Sequence, residues 1–417
     1  MTVAEGQIPA EATEAPPATD MDEGDASTPE RRRQRRRRFA RKAFWILALA
    51  HAYVGLRLAP NLPGPEWVPL AAAVILCVSA VLVPFGTFAK AYVEDPKIID
   101  RLAWAGGITM GWFSSLLVLT VFRDMTMVVP AVRALAPETA AAVPALALAV
   151  TLVGFVNARR TARVVDVTIP IAGLPAALEG FTIVQITDVH VGPTIKRGYV
   201  EGIVRRVNAL DADAIAVTGD IVDGPVEQLA HDAAPLGDLR ARHGAYVVTG
   251  NHEYYAEADA WMAEFARLGL TPLRNEHVVI QRDGASLVMA GVNDFSATRL
   301  DPKSGSDPAK AVAGAPAGAP KVLLAHQPRS AAAAMAAGFD LQLSGHTHGG
   351  QFWPWNHFVR MQQPYTAGLH RHGDLFVYTS RGTGYWGPPK RFGAPSEITR
   401  IRLTAGGEPH KKKEDDE

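Results

Sequence analysis

The sequence predicts an α/β domain with largely buried sheets, set behind an all-α transmembrane unit. Past residue 160, short β-branched runs alternate with helix-like stretches. Ahead of it, four continuous apolar runs without an amphipathic period follow a block of arginines. A third observation gives the α/β part its chemistry: five of its predicted strands end on Asp, His or Asn.

At 417 residues the chain has room for more than one folded unit, since a domain takes ~100–200 residues. The 42 basic and 42 acidic residues cancel, but they are distributed unevenly. Residues 1–30 are acidic and rich in Ala, Pro, Glu and Thr, a composition that predicts disorder. Residues 31–42 are nearly all arginine. Because an apolar segment follows at once, this run reads as a cytoplasmic topology anchor, and no nucleic-acid partner is expected. Cys77 is the single cysteine and lies in an apolar run, so no disulfide can form within the chain.

The apolar runs are residues 43–58, 68–88, 102–122 and 140–156. A membrane span needs ~17–25 residues, so the second and third suffice easily, the fourth is short but uncharged, and the first carries His51 and ends at Arg57. With four spans, residues 31–42, Lys90, Lys97, Arg101, Arg159, Arg160 and Arg163 fall on one side, with Arg57, Arg123 and Arg133 on the other. The asymmetry puts the C-terminal domain in the cytoplasm of a multi-pass membrane protein. If 43–58 does not span, the count is odd and that domain lies outside. Gly107-x-x-x-Gly111 is read as a packing detail and not a dimer site. The expected division is a tail at 1–42, membrane helices at 43–160, the α/β domain at 161–404 and a charged disordered tail at 405–417.

Strands are expected at 164–169, 182–187, 214–218, 245–249, 287–291, 322–325, 341–343 and 375–379, and helices at 197–210, 225–242, 256–268 and 328–337. Residues 301–320, rich in Ala, Gly and Pro, read as a surface loop. The strand ends run into Asp188-Val189-His190, Gly219-Asp220, Gly250-Asn251-His252-Glu253, His326, and Ser344-Gly345-His346-Thr347-His348. Ligands bind at the carboxyl ends of strands in open α/β sheets. Singly, Asp188 or Asp220 could cap a helix and Asn251 could close a turn. Jointly, they point to metal. Oxygen and imidazole donors without thiolate suit divalent or trivalent Mn, Fe or Zn, and seven candidate ligands exceed the need of one ion. Two ions sharing a carboxylate would clamp the oxygens of an in-line displacement and turn water into a hydroxide nucleophile.

In this order, Asp-x-His, Gly-Asp, Gly-Asn-His-Glu, His and Gly-His-Thr-His resemble the calcineurin-like metallophosphoesterase family. Gly349-Gly350-Gln351 and Ser380-Arg381-Gly382 resemble its membrane-associated bacterial branch. The resemblance spans residues 164–403 and implies a four-layer α/β/β/α sandwich. It implies that Asp188, His190 and His348 hold one metal, that Asn251, His326 and His346 hold the other, and that Asp220 bridges them. His252 would act as proton donor, with Glu253 outside the ligand set. Arg381 is expected to reach a phosphate oxygen or to make a surface ion pair. Phe352, Trp353, Trp355, Phe358, Tyr385 and Trp386 are expected to form an apolar rim toward the membrane or a lipid tail. The function expected is a membrane-anchored dinuclear-metal hydrolase of phosphoesters or pyrophosphates, with a lipid-linked substrate to be tested first. The alternatives are a soluble-substrate phosphodiesterase, a phosphoprotein phosphatase, or an inactive metal-binding scaffold.

Overall fold

A computed structural model describes residues 29–406. The acidic segment 1–28 and the charged tail from 407 lie outside the described residues. The first part is helical: α1 (Pro29–Leu58), α2 (Trp67–Thr87), α3 (Pro96–Thr126), the short α4 (Pro130–Arg133) and α5 (Ala136–Arg159). The arginine run is thus helical and continuous with the first apolar segment. Four stretches are long and apolar enough to cross a membrane: Arg41–Asn61, Trp67–Thr87, Pro96–Thr126 and Ala136–Arg159. Each contains most or all of one of the apolar runs in the sequence. Their outward faces are apolar, with Leu49, Val74, Phe122 and Leu152 exposed, while Val54, Leu76, Phe113 and Val143 pack between the helices. His51 is buried there and bonded on both nitrogens, to Leu47 O at 2.7 Å and Ser79 Oγ at 2.8 Å. It ties α1 to α2.

The second part holds twelve strands: β1 (Arg163–Ile171), β2 (Thr182–Ile186), β3 (Ala214–Val217), β4 (Ala245–Val247), β5 (Thr271–Pro272), β6 (Glu276–Arg282), β7 (Ala285–Gly291), β8 (Lys321–Leu324), β9 (Leu341–Ser344), β10 (Gly368–His372), β11 (Leu375–Thr379) and β12 (Glu397–Ala405). They form two six-stranded sheets, ordered β1-β12-β2-β3-β4-β5 and β10-β11-β9-β8-β7-β6. The helices of this part are α6 (Arg197–Asn208), α7 (Val226–Ala233), α8 (Asn251–Tyr255), α9 (Ala258–Arg267), α10 (Pro308–Val312), α11 (Ala331–Ala336) and α12 (Trp355–Val359).

Alternation along each strand builds the layers. On β2, Ile183 faces the second sheet and packs with Met289, Val322 and Leu343, while its neighbour Val184 faces α6 and α9 with Ile203, Val207 and Phe265. On the far side, Leu323 and Val377 meet Ala311, Ala331 and Ala334 of α10 and α11. The result is the expected α/β/β/α order. Strands β2, β3 and β4 run parallel, as do β7, β8, β9 and β11, so each sheet presents several carboxyl ends at one edge.

Besides four strands that were not expected, β5, β6, β10 and β12, three details differ from the sequence reading. The helix expected at 225–242 stops at Ala233, because Pro235 in the following 3₁₀ turn has no N–H to continue it. The helix expected at 256–268 is preceded by the separate α8, since Glu257 takes a left-handed φ of 74° between them. Residues 301–320 are not loop throughout: Asp307 caps α10 and buries Ala311 against the second sheet.

Candidate metal centre

Five strand ends deliver the predicted residues to one edge. The turn after β2 carries Asp188 and His190, the turn after β3 carries Asp220, and α8, after β4, carries Asn251 and His252. His326 follows β8, and His346 and His348 follow β9. Asp188, His190, Asp220, His346 and His348 all have positive φ, between 52° and 69°. Such backbone costs ~1–3 kcal/mol for a residue with a side chain and persists where function demands a side-chain direction. The intervening glycines allow close approach. A Cβ on Gly250 would strike the Asp220 carboxylate, and one on Gly345 would strike Asp188 and Thr187.

The donor atoms converge in overlapping groups: Asp188, His190 and His348; His190, Asp220 and His252; and Asp220, His326 and His346, each group within 4.8 Å. His190 Nε2 lies 3.0 Å from His348 Nε2, which is 3.3 Å from Asp188 Oδ1. His326 Nε2 is 3.1 Å from Asp220 Oδ2 and 3.3 Å from His346 Nδ1. Asn251 Oδ1 is buried and has no hydrogen-bond partner in the protein. A buried acceptor in this state is free to meet a cation.

The electrostatics fit a cation. Burial lowers His346 to about 3, helped by the charge of His326, and it lowers His348 well below the usual imidazole value, helped by Arg391. Both rings are therefore neutral, the form that ligates. Burial raises Asp188, against the opposing pull of His326 and His190. Burial also acts to raise Asp220, but His326 and His252 outweigh it and hold the carboxyl well below its ordinary range. The residues present thus suit divalent metals.

Supporting groups hold these ligands. Glu253 was not expected to be a ligand, and its carboxylate instead accepts the backbone N–H groups of Gly250, Asp220, Ile221 and Val222 at 2.7–3.3 Å, locking two of the turns together. Asp223 went unnoticed in the sequence. Its Oδ1 lies 2.8 Å from His190 Nδ1 and 2.7 Å from His252 Nδ1, so one carboxylate orients both rings. The signal was the spacing, an Asp three residues past Asp220. Removing such a partner costs ~10–100-fold in metal affinity or activity, so Asp223→Ala should lose that much turnover in a steady-state assay. No loss would mean that the rings are held without it.

Arg381 makes the ion-pair alternative: its Nη1 is 3.1 Å from Glu397 Oε2. Of the six aromatic residues, Phe352 and Tyr385 are buried while Trp353, Trp355, Phe358 and Trp386 are exposed. Trp386 stands with its ring centroid 5.8 Å from that of His252, and Trp355 Nε1 donates to Ser114 Oγ on α3 at 3.0 Å.

Lys390 and Arg391, also not anticipated, join the two halves of the chain. Lys390 is buried, its ammonium donating to Gly111 O at 2.7 Å and Ser115 Oγ at 2.5 Å on α3. Its stem crosses Gly111 and Gly154, and Pro389 lies over Gly107, so the Gly107-x-x-x-Gly111 pair receives a loop and not a helix. Arg391 is fully buried and donates to His348 O at 2.9 Å, Arg381 O at 2.7 Å and Gly384 O at 2.5 Å. Its Nη2 stands 3.0 Å from His348 Nδ1.

Two packed sheets thus carry an Asp and His cluster, with Asn251 beside His252 in the chain, at the carboxyl ends of their parallel strands. The model of the calcineurin-like phosphoesterase family matches residues 181–350. An uncharacterized metallophosphoesterase of Aquifex aeolicus is 31% identical over 247 residues, covering 59% of this chain and 93% of that protein. A transmembrane protein with metallophosphoesterase domain from Bos taurus is 41% identical over 277 residues, 63% of this chain and 62% of the relative. An uncharacterized metallophosphoesterase of Helicobacter pylori is 38% identical over 223 residues, 53% of this chain and 59% of its own. The chain spans about three fifths of the length of the first curated relatives it matches. It belongs to the calcineurin-like metallophosphoesterase family.

Proposed function

We propose that the chain is a membrane-anchored phosphohydrolase that works with two divalent or trivalent metals and acts on a phosphoester or pyrophosphate carried by a lipid. The observation that carries the reading is the convergence of six of the seven proposed ligands, together with His252, from five strand ends in overlapping groups. Asp188, His190 and His348 would hold one ion and Asn251, His326 and His346 the other, with Asp220 reaching both. When bound, such ions polarise a phosphoryl oxygen and lower the pKa of water from ~15.7 towards ~7.

The chain's own work falls to His252. Asp223 takes its Nδ1 at 2.7 Å, which turns Nε2 toward the cluster, 3.9 Å from Asp220 Oδ2. Burial disfavours the charged ring, but Asp220 and Asp223 overcome this and raise it to about 9 in the metal-free protein. When the ring is protonated, Nε2 holds the proton that would pass to the departing oxygen as the phosphorus–oxygen bond breaks. His252→Ala should keep its metal content, read by elemental analysis, and lose ~10²–10⁴-fold in turnover. A protein emptied of metal by this substitution would make His252 a ligand and end the proton-donor assignment.

A cytoplasmic placement of the catalytic part is supported by Lys90 and Arg159, which lie on the side of the helices that meets it. Arg57, Arg123 and Asp124 cluster at the other end. Protease accessibility in intact spheroplasts tests this. Turnover of an aryl phosphodiester against an aryl phosphomonoester with Mn²⁺ separates diesterase from monoesterase activity.

A further inference from the structure

Between the membrane helices and the metal centre lies a cavity of about 410 Å³, within the ~300–1,000 Å³ typical of ligand sites. One wall is Ile99, Ala103 and Met110 of α3, and Trp386 stands on the catalytic side. His252 closes the end nearest the metal ligands, where Lys90 Nζ donates to Asp223 O at 3.1 Å. The cavity is therefore two-sided in chemistry. Its α3 wall is apolar, while Lys90, Asp223, His252 and Tyr255 supply polar and charged groups of both signs. It also runs along α3, whose neighbouring Ile98 and Ile108 face outward as an apolar surface. A nucleoside or sugar would leave its hydroxyls unpaired against such a wall, whereas an alkyl chain would not.

We propose that this cavity takes the alkyl chain of a membrane-lipid phosphoester, the chain lying between α3 and Trp386 and the phosphate at His252. The proposal rests on the phosphohydrolase reading above and adds the part of the substrate that does not react. Binding energy from such a remote part is what distinguishes substrates that share one reacting bond.

The test uses the full chain in detergent with Mn²⁺ and two diesters sharing a p-nitrophenyl leaving group, one with a methyl and one with a dodecyl alcohol. Each buried methylene is worth roughly fourfold, so the dodecyl ester should show a KM at least ~100-fold lower. Ala103→Phe and Met110→Trp, which fill the cavity from two positions, should abolish that preference and leave kcat/KM for the methyl ester within about twofold. A dodecyl phosphonate with a diazirine in mid-chain gives a readout free of turnover. Its label should fall on α3 peptides around residues 99–110 and disappear in both variants. Equal KM values for the two esters, or labelling that the variants leave unchanged, overturns the proposal. If neither ester is cleaved but the label still lands in the cavity, the chain site stands and diester hydrolysis is ruled out, leaving the monoester and pyrophosphate forms of the reading to the aryl phosphomonoester comparison. If only the methyl ester is cleaved, the reverse holds.

Discussion

Asp220→Ala should empty the metal centre and reduce hydrolysis by more than the ~10–100-fold that a supporting residue costs. The reason is position. Asp220 belongs to two of the three donor groups. Its Oδ2 faces His326 Nε2 at 3.1 Å, while its Oδ1 accepts the His252 backbone N–H at 2.8 Å. Losing it therefore removes a carboxylate common to two donor groups and also loosens the start of α8. Asp220→Asn keeps the shape and the bond to His252 while removing the charge, so it separates the two effects. Elemental analysis of purified protein, with aryl phosphoester turnover alongside, is the measurement. Full metal occupancy in Asp220→Ala would rule out a bridging carboxylate.

The second large effect is expected at a residue outside the ligand set. Arg391→Met should destabilise the catalytic part by several kcal/mol, because each buried acceptor left unpaired costs ~1–3 kcal/mol. The carbonyls of His348, Arg381 and Gly384 would all lose the same donor. The turn carrying His348 would relax, so metal affinity should fall together with melting temperature. Arg391→Lys should not rescue it, since an ammonium cannot span acceptors that a planar guanidinium holds together. Thermal unfolding with and without added Mn²⁺ checks both parts. An unchanged melting temperature would mean that water replaces the guanidinium without loss.

What the sequence made legible was whatever repeats a rule. Strands buried on both faces, such as β3 and β8, are plain apolar runs, and their ends carry the ligands, so the catalytic edge could be read with its residues. The strands that escaped notice break that pattern. On β6 and β10 one face stays partly exposed, and their polar alternation reads as loop. On β12, Glu397 and Thr399 are buried but bonded, Glu397 to Tyr378 and Arg381, so a central strand carries the composition of a surface one. Asp223, Lys390 and Arg391 were obscure for a different reason. Asp223 meets His190, Lys390 meets Gly111 and Arg391 meets His348 across long stretches of sequence, and only the packed sheets and helices bring them together. Asp307 followed by Pro308 was a usable helix start that the surrounding Ala, Gly and Pro obscured.

The loop through Lys390 and Arg391 bears on how the protein meets different membranes. Helices respond to bilayer thickness by tilting, and here α3 and α5 grip Lys390 through Gly111, Ser115 and Gly154. The next residue, Arg391, grips the backbone of His348. Two adjacent side chains thereby join the long apolar helices to the turn that carries a single imidazole.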